Sequence, residues 1–168
     1  MKTLSSYARN VLAALVCFIA VGCTSATVRQ SEGSTALGVR VATVLVTPDA
    51  SIRPSELRWM RENAVEDTLT AAVRQRLTAT GKLEPAGATL EVTIISMRLR
   101  STTTAVLWGV LAGPDHLRGR VRLLNKGTVQ KTFIAEASRT SGAMAGAGSG
   151  GRIEGMCEEL AYALVQQL

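Results

Sequence analysis

The N-terminal segment constrains this chain most, because it combines a positive start with a short apolar run and an end of small residues. Lys2 and Arg9 supply the positive charge, and the apolar run covers residues 11–20. This run is shorter than the ~20 apolar residues that a helix needs to cross a bilayer. The segment therefore predicts a cleaved secretory signal rather than a membrane-spanning helix.

The signal ends in Ala20-Val21-Gly22-Cys23, which resembles the lipobox of bacterial lipoproteins, with Ala20 where Leu is usual. The resemblance implies cleavage after Gly22 and acylation of Cys23. Several acyl chains give stable anchoring, where one chain gives only marginal binding. Thr24 stands where inner-membrane lipoproteins usually carry Asp, so the resemblance implies the outer membrane of a Gram-negative cell, facing the periplasm. The alternative is a plain signal peptide with an incidental Cys23.

Loss of residues 1–22 from the chain of 168 leaves 146 residues, a length that suits one domain. Residues 23–37 contain Cys23 and small or polar side chains without periodicity, so they predict a lipidated start and a flexible tether. Residues 38–168 are predicted to form a single periplasmic α/β domain. Cys157 would be the only other cysteine of this mature chain, which leaves no internal disulfide. It is either a small buried residue or a reactive thiol.

Apolar periodicity predicts six elements in the domain. The predicted strands cover residues 39–46, 88–100, 116–124 and 128–138, and the predicted helices cover residues 55–80 and 152–168. The alternation slips by one residue between Ile94 and Ile95, which indicates a β-bulge. Asn125-Lys126-Gly127 indicates a hairpin turn. The predicted fold class is α+β, a two-layer α/β arrangement: a small mixed sheet with two helices packed on one face, in the order β-α-β-β-β-α.

The element order, the lipobox and the long helix that ends in LTATGKLEP resemble the N-terminal domain of TolB and the related domain of CsgG-type periplasmic lipoproteins. The Gly-rich segment before the last helix is similar to that of an uncharacterised bacterial lipoprotein family. The resemblance covers residues 38–168. It implies a non-catalytic adapter or assembly protein that binds another envelope component. The alternative is an accessory lipoprotein of an envelope transport system that binds lipid or a small ligand.

Two regions are candidates for contact with a partner. Trp108 lies in an apolar run at residues 105–114, which predicts either a buried connection or an exposed contact with a protein or a membrane surface. Arg118, Arg120 and Arg122 alternate with other residues of a predicted strand, so they should share one sheet face. That face is either a solvated surface or a contact for an anionic partner, such as lipid headgroups or an acidic protein.

No motif indicates catalysis, a cofactor or a metal. Residues 146–151 spell G-x-G-x-x-G, but too little chain follows for the second strand and acidic residue of a dinucleotide site. His116 is the single histidine, and its sequence neighbour Asp115 does not by itself make a triad. One histidine without a cysteine pair makes a zinc site improbable. The periplasmic location argues against nucleic acid and nucleotide as partners. Because no catalytic motif is found, we predict that the chain is not an enzyme.

Overall fold

The structure, a computed structural model, describes residues 24–33, 38–99, 113–139 and 149–168. Within these ranges the chain forms strands and helices around one core. The strands are β1 (Thr24–Gly33), β2 (Val41–Pro48), β3 (Ala88–Arg98), β4 (Asp115–Asn125) and β5 (Thr128–Arg139), and the helices are α1 (Pro54–Glu62), α2 (Val65–Ala79) and α3 (Ser149–Gln166). The predicted α+β fold class is confirmed.

The strands form one mixed sheet in the order β1-β5-β4-β3-β2. β2 and β3 are parallel, and every other neighbouring pair is antiparallel. Parallel neighbours need a crossover connection, which α1 and α2 supply between β2 and β3. α2 packs against α3, and both helices cover the same face of the sheet, as predicted. Within the described ranges, no helix is long and apolar enough to cross a membrane.

The core lies between this sheet face and the two longer helices. Inward-facing residues of β3 and β4, such as Leu90, Val92 and Val121, are fully buried. The predicted stripe of the last helix is confirmed, because all of its residues are buried: Ile153, Cys157, Leu160, Leu164 and Leu168. Burial raises the pKa of the Cys157 thiol from 9.0 to about 12, with smaller contributions from nearby glutamates. The thiol is therefore neutral and packed, as expected of a small core residue.

Two local predictions within the sheet are confirmed. The pairing of β3 with β4 changes register between Ile94 and Ser96, which is the predicted bulge. The hairpin between β4 and β5 turns through Lys126 and Gly127, whose φ angles of 49° and 81° are both positive. Two positive φ angles in a two-residue loop are the signature of a type I′ turn, whose twist matches that of the strands.

The prediction of one continuous helix over residues 55–80 is wrong, because the chain breaks into α1 and α2. The break lies at Ala64, whose φ of 49° is left-handed. Asn63 ends α1, and its side-chain amide donates a hydrogen bond to the carbonyl of Trp59 at 2.8 Å. Asparagine favours such local bonds over a helix interior. The change of direction lets both Met60 of α1 and the apolar stripe of α2 reach the core.

The prediction of a flexible tether over residues 23–37 is wrong for residues 24–33, which form β1. This strand pairs antiparallel with β5 at the edge of the sheet. Ala26 and Val28 are half-buried against the core, whereas Ser25 and Thr27 are exposed. Backbone hydrogen bonds to β5 hold an edge strand even when its side chains are small and polar, which is why apolar periodicity missed it.

Candidate functional site

The sequence-predicted site residues fall in two parts of the chain. Gly22, Cys23 and Trp108 lie outside the described residues, so their roles stay predictions. β1 begins at Thr24, which directly follows Cys23 in the sequence. Thr24 pairs with Arg139 at the end of β5, and Arg139 also pairs with the first residue of β4. We call this part of the molecule, where β1 and β4 begin and β3 and β5 end, the Cys23 end of the sheet.

The three predicted arginines lie together on the sheet face opposite the helices, as their alternation predicts. Arg122 donates a hydrogen bond from Nη1 to Oε2 of Glu91 on β3 at 3.2 Å. Arg120 approaches Oδ2 of Asp49 with its Nη1 at 3.5 Å. Asp49 directly follows β2 and Glu91 lies on β3, and both ion pairs are open to solvent. We call this surface the open face.

Acidic groups offset the charge of the open face. Arg118 stands opposite Glu136 of β5 in the register of the sheet. Hydrogen bonds from the Ser51 hydroxyl and backbone N–H, and to a smaller extent Arg120, lower the pKa of Asp49, so its carboxylate is ionised at neutral pH. The open face therefore carries both charges in alternation. Such a pattern suits solvent or a protein surface of complementary charge better than a uniformly anionic surface.

A cleft of about 550 Å³ opens between α1 and the Cys23 end of β3 and β4. β2 ends at Pro48 opposite Ile94, whereas β3 continues to Arg98 alongside β4. The last residues of β3 therefore extend past β2, and α1 forms the wall across from them. The volume falls within the range of roughly 300–1,000 Å³ that is usual for ligand pockets.

The lining of this cleft divides into an apolar part and a polar part. Its apolar side chains are Ile52, Trp59, Met60, Met97 and Leu99. Its polar side chains include Arg53, Glu56, Ser96, Arg98 and His116. Trp59 is half-buried, since one part packs against the core and another lines the cleft. An apolar wall with a few convergent polar groups is the usual make-up of a small-molecule site.

The polar groups of the cleft form two pairs. Ser96 Oγ lies 3.0 Å from Nε2 of His116, on adjacent strands. Arg53, the N-cap residue of α1, donates a hydrogen bond to Glu56 in the first turn of this helix. This bond lowers the pKa of Glu56. Arg98 stands opposite His116 in the register.

A buried ion pair lies next to His116 in the chain, on the helix-covered face of the sheet. Asp115 accepts a hydrogen bond from Nη1 of Arg152 at 3.1 Å, and their side chains are 0% and 3% exposed. Successive side chains of a strand point to opposite faces, so Asp115 faces the helices whereas His116 faces the open side. The pair joins β4 to the first turn of α3. The pair therefore ties β4 to α3, and the sequence did not reveal it.

Two other features are less suited to a site. A groove of about 500 Å³ lies between α2 and α3, where the Arg76 guanidinium stacks over the Tyr162 ring at 4.6 Å. The Gly-rich motif at residues 146–151 ends inside α3, which begins at Ser149, while Gly146 and Gly148 lie outside the described residues. Among the residues that the structure describes, no cluster of His, Cys, Asp and Glu could hold a metal ion.

Sequence reasoning missed the cleft because its walls come from segments far apart in the chain. One signal pointed to it, namely the bulge after Ile94. The bulge changes the phase of β3, so that Ser96 and Arg98 face the same side as His116. Without the change of phase, Ser96 and Arg98 would face the helices.

Comparison with known proteins identifies a family but no function. Residues 55–152 match the family described as Domain of unknown function (DUF4410). No curated protein matches the chain. Among solved structures, a PelC variant dodecamer from Paraburkholderia phytofirmans is 14% identical, with a TM-score of 0.41, over 86% of this chain and 97% of that one. Another PelC dodecamer from the same organism is 14% identical, with a TM-score of 0.38, over 87% and 98%.

Proposed function

The chain belongs to the family described as Domain of unknown function (DUF4410), and on that premise we propose what it does. It is a lipid-anchored lipoprotein of the outer membrane, facing the periplasm. It binds another protein of the cell envelope and does not catalyse a reaction. The anchor is the acylated Cys23, which becomes the first residue of the mature chain after cleavage following Gly22.

The observation that carries this proposal is the position of the first described strand relative to the predicted cleavage site. The first strand begins at Thr24, immediately after Cys23. Cleavage after Gly22 would therefore leave the described domain whole. Acylation of Cys23 would hold the Cys23 end of the sheet close to the membrane surface, because no spacer separates them.

The open face is the surface that we assign to the partner protein. It extends away from the Cys23 end along the strands, so an anchored domain would present it to the periplasm. Arg120 and Arg122 each have a carboxylate nearby, which gives a pattern that a complementary protein surface can match in register. Trp108 remains a second predicted contact from the sequence alone.

Substitution of Cys23 tests the anchor. The Cys23→Ala protein should remain uncleaved and lack acyl chains, as measured by intact mass after membrane fractionation. Cys17→Ala is the matched control, because it changes a cysteine of the signal and leaves residues 20–23 unaltered. An acylated, normally fractionated Cys23→Ala protein would contradict the anchor.

Photo-crosslinking in the native envelope tests the partner. A crosslinker at position 120 of the open face should capture one specific envelope protein. The same crosslinker at position 75 of α2, on the opposite side of the domain, is the control and should not capture it. Equal capture from both positions would contradict recognition through the open face.

A second candidate function is supported by the cleft. An accessory lipoprotein that binds a lipid or small ligand would need a concave site with apolar and polar walls. The cleft beside α1 has this composition, which the open face lacks.

A further inference from the structure

We infer that the outer edge of β2 pairs with the same edge of a second copy of this chain, antiparallel about a twofold axis at Leu45. We call the side of β2 that lies away from β3, over residues 43–47, the β2 edge. The pairing would join the two sheets into one, with five strands from each copy. This inference goes beyond the proposed function and does not rest on the anchor.

The two edges of the sheet differ in how they are protected. β1, at one edge, carries the charges of Arg29 and Glu32, and its pairing with β5 changes register between them. Charged side chains and bulges are the usual devices that keep an edge strand from pairing with another chain. β2, at the other edge, has no charged residue from Val41 to Pro48 and consists mostly of β-branched residues. Such an edge is a template for strand pairing.

The backbone hydrogen bonds of β2 show which of its groups point away from β3. The N–H of Asp49 donates to the carbonyl of Ile94 on β3 at 2.8 Å, and the register is regular from Thr43 to Pro48. The odd-numbered residues therefore direct their backbone groups towards β3, and Val44 and Val46 direct theirs away from it. Among the described residues, none outside the sheet shares a backbone hydrogen bond with these two valines.

Both ends of the β2 edge are closed, so its free length is short and defined. At one end, Val41 donates its N–H to the carbonyl of Lys82 at 2.8 Å and accepts the N–H of Glu84 at 2.9 Å. At the other end, Pro48 has no N–H to donate. Between these ends, the two outward-facing valines offer two donors and two acceptors.

This short edge is complementary to itself. In an antiparallel ladder, two residues that form a hydrogen-bonded pair exchange two bonds. Placing Val44 opposite Val46 of the second copy, and the reverse, uses all four groups of each copy. A shift of two residues in one direction would set Val44 opposite Pro48, and a shift in the other would set Val46 opposite Ala42, where the register of β2 is irregular. The backbone therefore favours the register centred on Leu45.

The same register accounts for the exposure of Leu45, a large apolar side chain that is 48% exposed. At the twofold axis it would face Leu45 of the second copy in a non-hydrogen-bonded pair, in which the Cα atoms lie about 4.5 Å apart. On either side, Thr43 would face Thr47 of the second copy. Cross-strand contacts between apolar side chains and between threonines stabilise antiparallel pairs.

The helix layer presents charges of opposite sign above the β2 edge. α2 covers β2, whereas α3 covers β1, β5 and β4, so the flank of α2 that lies away from α3 faces the β2 edge. Ala72 and Arg76 line the groove towards α3. At about 3.6 residues per turn, Asp67 and Arg74 lie on the other flank of α2, and both are exposed.

The twofold axis would bring these opposite charges together. Leu45 lies four residues, about 13 Å, from Val41 along the strand, a length that about nine residues of helix span. The end of α2 lies at the level of Val41, since Lys82 bonds to it. Counting back from the C-cap Thr80, the axis crosses α2 midway between Asp67 and Arg74. Asp67 of each copy would therefore lie alongside Arg74 of the other, which makes the two surfaces complementary in charge.

Disulfide trapping at the twofold axis tests the pairing. Leu45→Cys would place two thiols at a Cα separation of about 4.5 Å, within the range of about 4.4–6.8 Å that disulfides require. We expect the full mature chain, oxidised in native membranes, to form a covalent dimer. Val129→Cys is the matched control, because Val129 is 40% exposed but lies on β5, away from the β2 edge. The parental chain measures the background from Cys23 and Cys157.

A second cysteine position tests the register. Two cysteines at position 43 would lie about 13 Å apart along the strand, so Thr43→Cys should crosslink no more than the control. The double variant Thr43→Cys/Thr47→Cys should crosslink as Leu45→Cys does, because these positions face each other across the axis. Equal yields from Leu45→Cys and Val129→Cys, or a higher yield from Thr43→Cys than from Leu45→Cys, would overturn the inference.

A charge at the axis tests the pairing without oxidation. Leu45→Lys would set two like charges directly opposite each other, which destabilises a strand pair. Sedimentation equilibrium of the full mature chain in density-matched detergent should show a dimer dissociation constant that rises about tenfold or more. Val129→Lys should leave this constant unchanged, and circular dichroism shows whether both variants fold. A monomeric parental chain, or a folded Leu45→Lys chain that dimerises as tightly as the parental chain, would refute the pairing.

Discussion

Asp115→Asn is the substitution that most sharply tests how the core is held together, because it removes one charge from the buried pair with Arg152. Asparagine keeps the shape of the side chain, and the guanidinium remains buried beside it. At an effective dielectric constant of about 20, two unit charges 3.1 Å apart attract by about 5 kcal/mol. Desolvation offsets much of this attraction in the native pair, but the variant retains the desolvated guanidinium without the charge of Asp115. Losing one partner of such a pair costs about 3–5 kcal/mol.

Glu91→Gln is the matched control, because it breaks an ion pair of nearly equal length at the surface. Arg122 and Glu91 are 3.2 Å apart, and their side chains are 46% and 32% exposed. Solvent and ions screen such a pair, so its loss should cost at most about 1 kcal/mol. The two variants differ chiefly in the burial of the charge that remains, so their comparison isolates burial from distance.

Thermal unfolding of the mature protein, followed by circular dichroism, measures the difference. A domain of about this length loses roughly 2–4 °C of Tm per kcal/mol. Asp115→Asn should therefore lower Tm by on the order of 10 °C, and Glu91→Gln by less than about 4 °C. Equal shifts in Tm for the two variants would refute the reasoning from burial.

Three further outcomes concern packing. Gly87→Ala should cost about 1–3 kcal/mol in urea unfolding, because its new Cβ would lie 2.5 Å from the Arg40 carbonyl oxygen. Gly150→Ala should raise stability by about 0.5–1 kcal/mol, since among the described residues no atom outside the adjacent backbone of α3 lies within 4 Å of the new Cβ. The opposite signs for the two variants would contradict this packing. Cys157 should not react with a thiol reagent at pH 8 in the native protein. Its pKa rises from 9.0 to about 12 on folding, so its contribution to stability is present below pH 9 and is lost between pH 9 and about 12. Rapid native labelling at pH 8 would argue against burial.

The elements themselves were largely predictable, and their ends were not. The strand containing Arg118, Arg120 and Arg122 has a strict period of two, which sets the face of each side chain locally. Residues 55–80, predicted as one helix, carry an apolar stripe throughout, but the stripe does not encode the turn at Ala64. That turn depends on the direction in which α1 must run to place Met60 in the core.

Less of the candidate site than of the fold could be predicted from the sequence. The β-bulge after Ile94 was visible as a slip in alternation, yet its effect was not, because it depends on which strand pairs with β3. The acidic residues that face Arg120 and Arg122 lie 71 and 31 positions away in the chain. No periodicity within one segment can locate partners at such separations.

By itself, the sequence determined the fold class, the alternation of the strands, the buried stripe of α3 and the hairpin turn. Each of these follows from backbone geometry that repeats every two or 3.6 residues, or from one positive-φ turn. Only the tertiary structure decided that residues 24–33 join the sheet, that Asp115 pairs with Arg152, and that α1 closes a cleft with Ser96 and His116. These features depend on contacts between distant segments, because packing and burial arise only when the whole chain is assembled.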